Sequence, residues 1–483
     1  MSRPLPVPRS LASSLPRWGR RALTLSLALA LPGLASAAPL LAIGSLNGAH
    51  DKSGLSGTLE NGLPADVLGG MGSALAWAGG NTFLALPDRG PNATVYNPAV
   101  DNTASYISRF HTVQMNLTAS AGGSLPFTLT PTLLSTTLLS SPKPLTYGNG
   151  TAFGLPNGAP SLNTASHQYF TGRSDGFDPA RSSLNPDNAR LDPEGARVSN
   201  DGRSVFISDE YGPYVYQFDR ATGQRLRSFA LPAELGVKVL GTTTAAEDKP
   251  VNSSGRVANK GMEGLALTPD GKTLVGVMQA PLLQDGNKVI RIVTIDVATG
   301  VTHQYAYQLT DGSGVSEILA LNDHEFILDE RDGAGLGDGT AAKTKKLFKI
   351  DLAGATDISG RKGDLRSFAV KKSLFLDVAS TLIGAGVGLT AETVPAKIEG
   401  LAWGEDVVWK GQLLHTLWVA NDNDFLPAEA GGNHFYVFGI GDADLKGSVY
   451  VPQDLKAVPE PASLALTLSA MLLGAGVVRR RSR

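Results

Sequence analysis

The chain has 483 residues, with 42 basic and 44 acidic side chains, seven histidines and no cysteine. The missing thiols exclude disulfides, thiolate metal sites and a cysteine nucleophile, and the scattered histidines show no zinc-ligand spacing. Oxygen donors remain as metal ligands, and the charge balance argues against nucleic acid as a partner.

At the N-terminus Arg17, Arg20 and Arg21 precede an apolar run, Ala22 to Leu34, and the small-residue step Ala35-Ser36-Ala37. That order of charge, apolar core and small residues is a secretory signal peptide over residues 1–37, cleaved near Ala37. Export is the consequence. Residues 38–457 then read as one domain of short β-runs punctuated by Gly and Pro, with few stretches of helical period.

The first unit is Ala74 to Trp77, a Gly79-Gly80 turn, and Thr82 to Leu86 leading into Asp88-Arg89-Gly90. Gly72 stands where an acid opposite Asp88 would fall. Tyr106 to Thr137 supplies strand material without an acid, and Thr146 to Pro160 reads as a loop. Four further units share one layout of acid, apolar alternation, turn, apolar alternation and, in most copies, a second acid. They begin at Asp192-Pro193-Glu194-Gly195, Met262-Glu263-Gly264, Ser316-Glu317 and Ile398-Glu399-Gly400. They lead to Asp209-Glu210, Gln279, Asp329-Glu330 and Asp422-Asn423-Asp424. Folding each about its turn brings Glu194 opposite Asp209, Glu317 opposite Asp329 and Glu399 opposite the Asn421-Asp422 step. The carboxylates therefore share one end of the hairpins.

More strands follow each hairpin, at Tyr214 to Phe218, Val289 to Asp296, Leu347 to Asp351 and His434 to Phe438. Three or four strands per repeated unit compose a β-propeller blade. The expected fold is all-β, a propeller of six blades within a range of five to seven, with long insertions such as Ala233 to Ala258 and Gly333 to Lys343 carrying short helices.

Carboxylates gathered on one rim repel one another unless a cation binds or some are protonated or paired. The candidate metal ligands are Asp88, Glu194, Asp209, Glu263, Asp329, Glu399 and Asp422, with Glu210, Glu317 and Asp424 behind them. Ca2+, which accepts six to eight oxygen ligands in flexible geometry, suits such a set. Glu194, Glu263 and Glu399 are the candidate catalytic residues. Arg89, Arg173, Lys260 and Arg331 either bind substrate phosphate or neutralise neighbouring acids. Gly172-Arg173-Ser174-Asp175-Gly176 matches a nucleophile elbow in pattern, but Pro179 and Pro186 follow where that motif requires a helix.

Asp88-Arg89-Gly90, Asp192-Pro193-Glu194-Gly195, Asp209-Glu210-Tyr211-Gly212-Pro213, Asn259-Lys260-Gly261-Met262-Glu263-Gly264 and Lys397-Ile398-Glu399-Gly400 with Asn421-Asp422-Asn423-Asp424 together resemble the phytase-like family, described by esterase-like activity of phytase. The resemblance spans about Ile43 to Ile440 and implies a propeller that hydrolyses phosphate esters. A noncatalytic surface propeller binding a glycan or protein, and a metal-dependent lactonase-type hydrolase, are the alternatives.

At the C-terminus Val458-Pro459-Glu460-Pro461, an apolar stretch from Ala462 to Val478, and Arg479, Arg480, Arg481 and Arg483 resemble a PEP-CTERM sorting signal over residues 458–483. That resemblance implies an exosortase-type enzyme as partner and membrane contact only through this segment, with the protein at the cell envelope surface or outside the cell. Without the nine basic residues and one acid of the two ends, the domain carries a net charge of about −10.

Overall fold

A computed structural model describes residues 38–91, 103–148, 158–173, 182–241, 247 and 249–456. The leader, the Pro-Glu-Pro tail, Ser174-Asp175-Gly176, Pro179 and part of the Thr146 to Pro160 loop lie outside the described residues.

Apolar alternation on both faces dictates the architecture. In the Ser204–Asp209 strand, Val205 and Ile207 pack into one inter-sheet core and Phe206 into the next. Neither face of such a strand tolerates water, so its sheet must be sandwiched between two others. Five antiparallel sheets satisfy one another in this way, and their innermost strands close a ring. The first blade is Ala74–Trp77, Thr82–Leu86, Arg109–Ala119 and Phe127–Leu138, and the second is Pro193–Val198, Ser204–Asp209, Tyr214–Asp219 and Arg225–Ala230. The third is Met262–Leu267, Thr273–Met278, Val289–Asp296 and Thr302–Gln308, and the fourth is Gly314–Ala320, Glu325–Arg331, Lys345–Asp351 and Lys372–Asp377. The fifth is built from Ile398–Trp403, Gln412–Asn421 and Asn433–Ile440, and the N-terminal strand Leu40–Leu46 completes it as its outer edge. The two ends of the domain are thereby locked into one sheet.

The protein is thus an all-β propeller of five blades, inside the expected range and one short of six. The strand material between Tyr106 and Thr137 forms the outer half of the first blade instead of a separate sheet. Among its described residues the Ala233 to Ala258 insertion carries a turn of 3-10 helix, Ala233–Leu235, and Glu247 is also helical. A two-turn α-helix, Val378–Gly384, follows the fourth blade, with the Asp377 carboxylate accepting from Ser380 N at 2.9 Å as its N-cap.

Neighbouring inner strands approach closely beside the axis, which explains the Glu-Gly steps. A Cβ on Gly264 would lie 2.6 Å from Glu317 Cα, and one on Gly195 would lie 2.6 Å from Leu265 N. The axis is plugged halfway down. Arg197 crosses from the second blade, donating to Leu75 O at 3.0 Å and Ile318 O at 2.8 Å and pairing with Glu317 at 3.1 Å. Residues 448–456 then cross the far end, touching the turn region of every blade. Val451 N donates to Leu321 O, Asp454 N to Pro269 O and Lys456 N to Asn200 O, while Leu455 reaches Gly79 and Tyr450 packs on Trp403 with ring centres 4.7 Å apart. The axis is therefore a cup with one mouth, at the end where the inner strands begin.

Candidate active site

The mouth opens into a cavity of about 520 Å³. Its walls carry Asp88, Glu194, Glu210, Glu247, Glu263 and Glu399 with Arg89, Arg190, Lys260, Arg331 and Lys397, besides Tyr211 and Gln279. β-bulges at the start of the inner strands aim the glutamates inward. Register breaks occur between Pro193 and Ala196, Met262 and Gly264, Val315 and Glu317, and Ile398 and Leu401. The same bulges displace two of the expected pairings by one residue. Pro193, not Glu194, faces Asp209, and Ile398 faces Asn421, whereas Glu317 does face Asp329.

Three groups of three acids converge at the cup, the third being Asp88, Asp422 and Asp424. Carboxylate oxygens of Glu194, Glu210 and Glu263 lie within 4.8 Å of one another, as do those of Asp88, Asp192 and Glu194. Glu194 belongs to both of these groups, and among the described residues its carboxylate has neither a hydrogen bond nor an ion pair. Glu263 accepts from Gln279 Nε2 at 2.7 Å through one oxygen, and its other oxygen is bare. Glu210 accepts from Gly261 N at 3.3 Å, while its second oxygen, 3.9 Å from Arg89 Nη1, receives no hydrogen bond from a cation or amide, and its carboxyl lies against that of Asp192. Burial, reinforced by neighbouring carboxylates, holds Glu194 and Glu210 well above the usual carboxylate range, and burial also raises Glu263 and Asp88. Bare, buried, mutually repelling oxygens are what a hard cation would satisfy, so the residues fit a metal.

The cations around them are mostly committed. Arg89 bonds Asp192 at 2.7 Å, and its backbone N donates to the same carboxylate at 3.0 Å. Burial works against ionisation of Asp192, but this guanidinium overrides it and holds the acid low. Arg331 is paired with Glu399, whose carboxyl burial nonetheless pushes up to about 8. Lys397 sits between Asp422 and Asp424, and Glu247 bridges Arg190 and Arg256 at 3.0 and 2.7 Å. Lys260 is exposed at the rim, with no ion-pair partner among the described residues.

Several predicted residues lie elsewhere. Asp209 is a turn cap, accepting from Asp192 N, Tyr211 N and Gly212 N at 3.0–3.2 Å, and does not line the cavity. Asp329 is fully buried outside it, with both oxygens bare. Arg173 turns to Glu60 at 3.3 Å. Glu317 is consumed by the axial plug, and Asp422 by Lys397. Gln279, where an acid was expected, is the group that orients Glu263. Gly72 lacks an acid because any Cβ there would fall 2.0 Å from Asn421 O. Arg190 and Glu247 were missed because 57 residues separate them and no local pattern links them.

A five-bladed propeller with a single-mouthed cup of bare carboxylates ringed by cations is the class these features define. The chain matches the family described as "Phytase-like: Esterase-like activity of phytase" over residues 67–425, and it belongs to that family. It is 30% identical over 368 residues to an uncharacterized secreted protein of Arthroderma benhamiae, covering 64% of this chain and 68% of that one. Solved structures are far looser matches. Hydrazine synthase of Kuenenia stuttgartiensis is 11% identical with 80% and 82% of the chains covered and a TM-score of 0.29, and glutaminyl cyclase of Myxococcus xanthus is 9% identical with 84% and 100% covered and a TM-score of 0.31. Likenesses of that size say nothing about activity.

Proposed function

We propose that the cup hydrolyses phosphate esters with a bound divalent cation, Ca2+ in the first instance. The observation that carries this reading is the Glu194–Glu210–Glu263 group, in which Glu210 and Glu263 each keep one buried oxygen without a donor and Glu194 is unpartnered among the described residues, while cations stand around them. These three glutamates, with Asp88 beside them, would hold the ion, which when bound supplies charge neutralisation and a more acidic water. Arg89, Arg331 and Lys260 hold the phosphoryl oxygens, and the contacts to Asp192 and Glu399 keep the two guanidiniums in place. Glu194 takes the proton as water oxygen attacks phosphorus. The ester P–O bond breaks, and the leaving oxygen is protonated from solvent.

Export is part of the same reading, supported by the leader of residues 1–37 and by the description of the Arthroderma relative as secreted. Sorting of the 458–483 tail by an exosortase-type enzyme is proposed on its three-part order.

The test is calorimetric calcium titration of the purified protein, with turnover on a panel of phosphate esters before and after chelation. Binding with chelation-sensitive turnover is expected. Full activity in the metal-free protein would sink the reading, and cation binding without turnover would make the cup a ligand-binding site.

A further inference from the structure

We propose that Lys397 is a resident cation, whose ammonium fills the Asp88–Asp422–Asp424 corner of the cup in place of a second metal ion and presents its charge to the substrate anion. The inference rests on the proposed cation-dependent hydrolysis, but concerns a different corner of the cup.

The two corners are built alike and filled differently. Carboxylate oxygens of Asp88, Asp422 and Asp424 lie within 4.8 Å of one another, as do those of the glutamate group. In the glutamate corner Glu210 meets Arg89 Nη1 only at 3.9 Å, and neither Glu194 nor Glu263 meets a lysine or arginine within ion-pair distance among the described residues. In the aspartate corner Lys397 Nζ lies 2.9 Å from Asp422 Oδ2 and also bonds Asp424 Oδ1.

The backbone fixes this pairing. Lys397 immediately precedes the Ile398–Trp403 inner strand, and its carbonyl accepts from Asp422 N at 3.1 Å, so lysine and acid are held by the same strand ends. Asn423 Oδ1 ties the acid-bearing loop to Gly70 N at 2.8 Å, and Asp424 N donates to Asp422 Oδ1 at 2.8 Å. The lysine side chain keeps 31% of its surface exposed and lines the cavity. It can therefore donate to a phosphoryl oxygen without leaving its carboxylates, since an ammonium has three donors. A lysine is a point charge on a flexible stem and does electrostatically what a small cation does, without needing metal in the medium.

The experiment is equilibrium dialysis of the full-length protein against calcium, with bound metal read by atomic emission and KM and kcat measured alongside. Wild type is expected to hold one calcium and Lys397→Met two, with KM for the ester raised about tenfold and kcat changed less. Lys397→Arg should keep one calcium and most of the wild-type KM, and the Lys397→Met, Asp424→Asn pair should return to one. Two calcium ions in wild type, or an unchanged count and KM in a folded Lys397→Met, overturn the inference. Should Lys397→Met fail to fold, a second calcium in Lys397→Arg overturns it and a single one supports it. No calcium in wild type with one gained in Lys397→Met would remove the proposed hydrolytic reading and leave Lys397 as the occupant of its corner.

Discussion

Glu263 and Glu317 stand one register step apart at the start of successive inner strands, Glu263 at the bulge itself and Glu317 just past it, and are put to opposite uses. Glu317 accepts from Leu265 N and Ile318 N, both at 2.9 Å, and meets Arg197, so it stitches three blades across the axis. Glu263 receives one hydrogen bond from Gln279 and keeps an oxygen bare in the cup. One step along the strand changes which neighbours a carboxylate meets, and those neighbours decide its role. Partnered to backbone amides the carboxylate is structural, and left unpartnered among other acids it is available to a ligand.

Breaking the structural member should have the largest effect. Glu317→Ala strands two buried amides and takes the counter-charge from Arg197, which keeps its carbonyl partners, and is expected to lower unfolding free energy by about 3–5 kcal/mol in urea titration. Removing the open member should instead spare the fold. Glu263→Gln keeps the shape, relieves repulsion, and is expected to reduce turnover about a hundredfold or more without lowering the thermal midpoint. Equal destabilisation by the two would erase the contrast. Gln279→Glu would sharpen it, restoring the acid found at that place in other blades, with calcium affinity raised about tenfold by calorimetry.

The smallest expected effect is that of pH on the metal-free protein. Burial raises Asp329 to about 8, and Asp209 and Glu317 to about 7. The folded state then binds protons more tightly than the unfolded chain, so these groups contribute stability that is present at low pH and is lost as pH rises through 7 to 8. Urea unfolding should show the metal-free protein less stable at pH 8 than at pH 6, and a rise over that window would contradict the shifts.

What was legible in the sequence follows from what is local. The Asn200-Asp201-Gly202 turn, with Gly202 at φ 71°, and the alternation beside it were readable because a hairpin is specified by adjacent residues. The one-residue slip at Glu194 was not, because a bulge adds a residue to one strand without a mark in the alternation. The glutamates of the cup stood out through their following glycines. The pairing of Arg331 with Glu399 joins residues 68 apart in sequence and depends on the packing of the fourth blade against the fifth, which no local pattern encodes. The blade count missed its preferred value for a similar reason, since strand length alone does not tell the outer half of one sheet from a new one.

The strap of residues 448–456 gives the molecule a handle as well as a stopper. Because it lies against the turn regions of all five blades, a pull on whatever follows Lys456 is shared across the ring and does not peel one edge strand. A protein tethered by that end would carry its load through five sheets at once and hold its cup open towards the medium, away from its mooring.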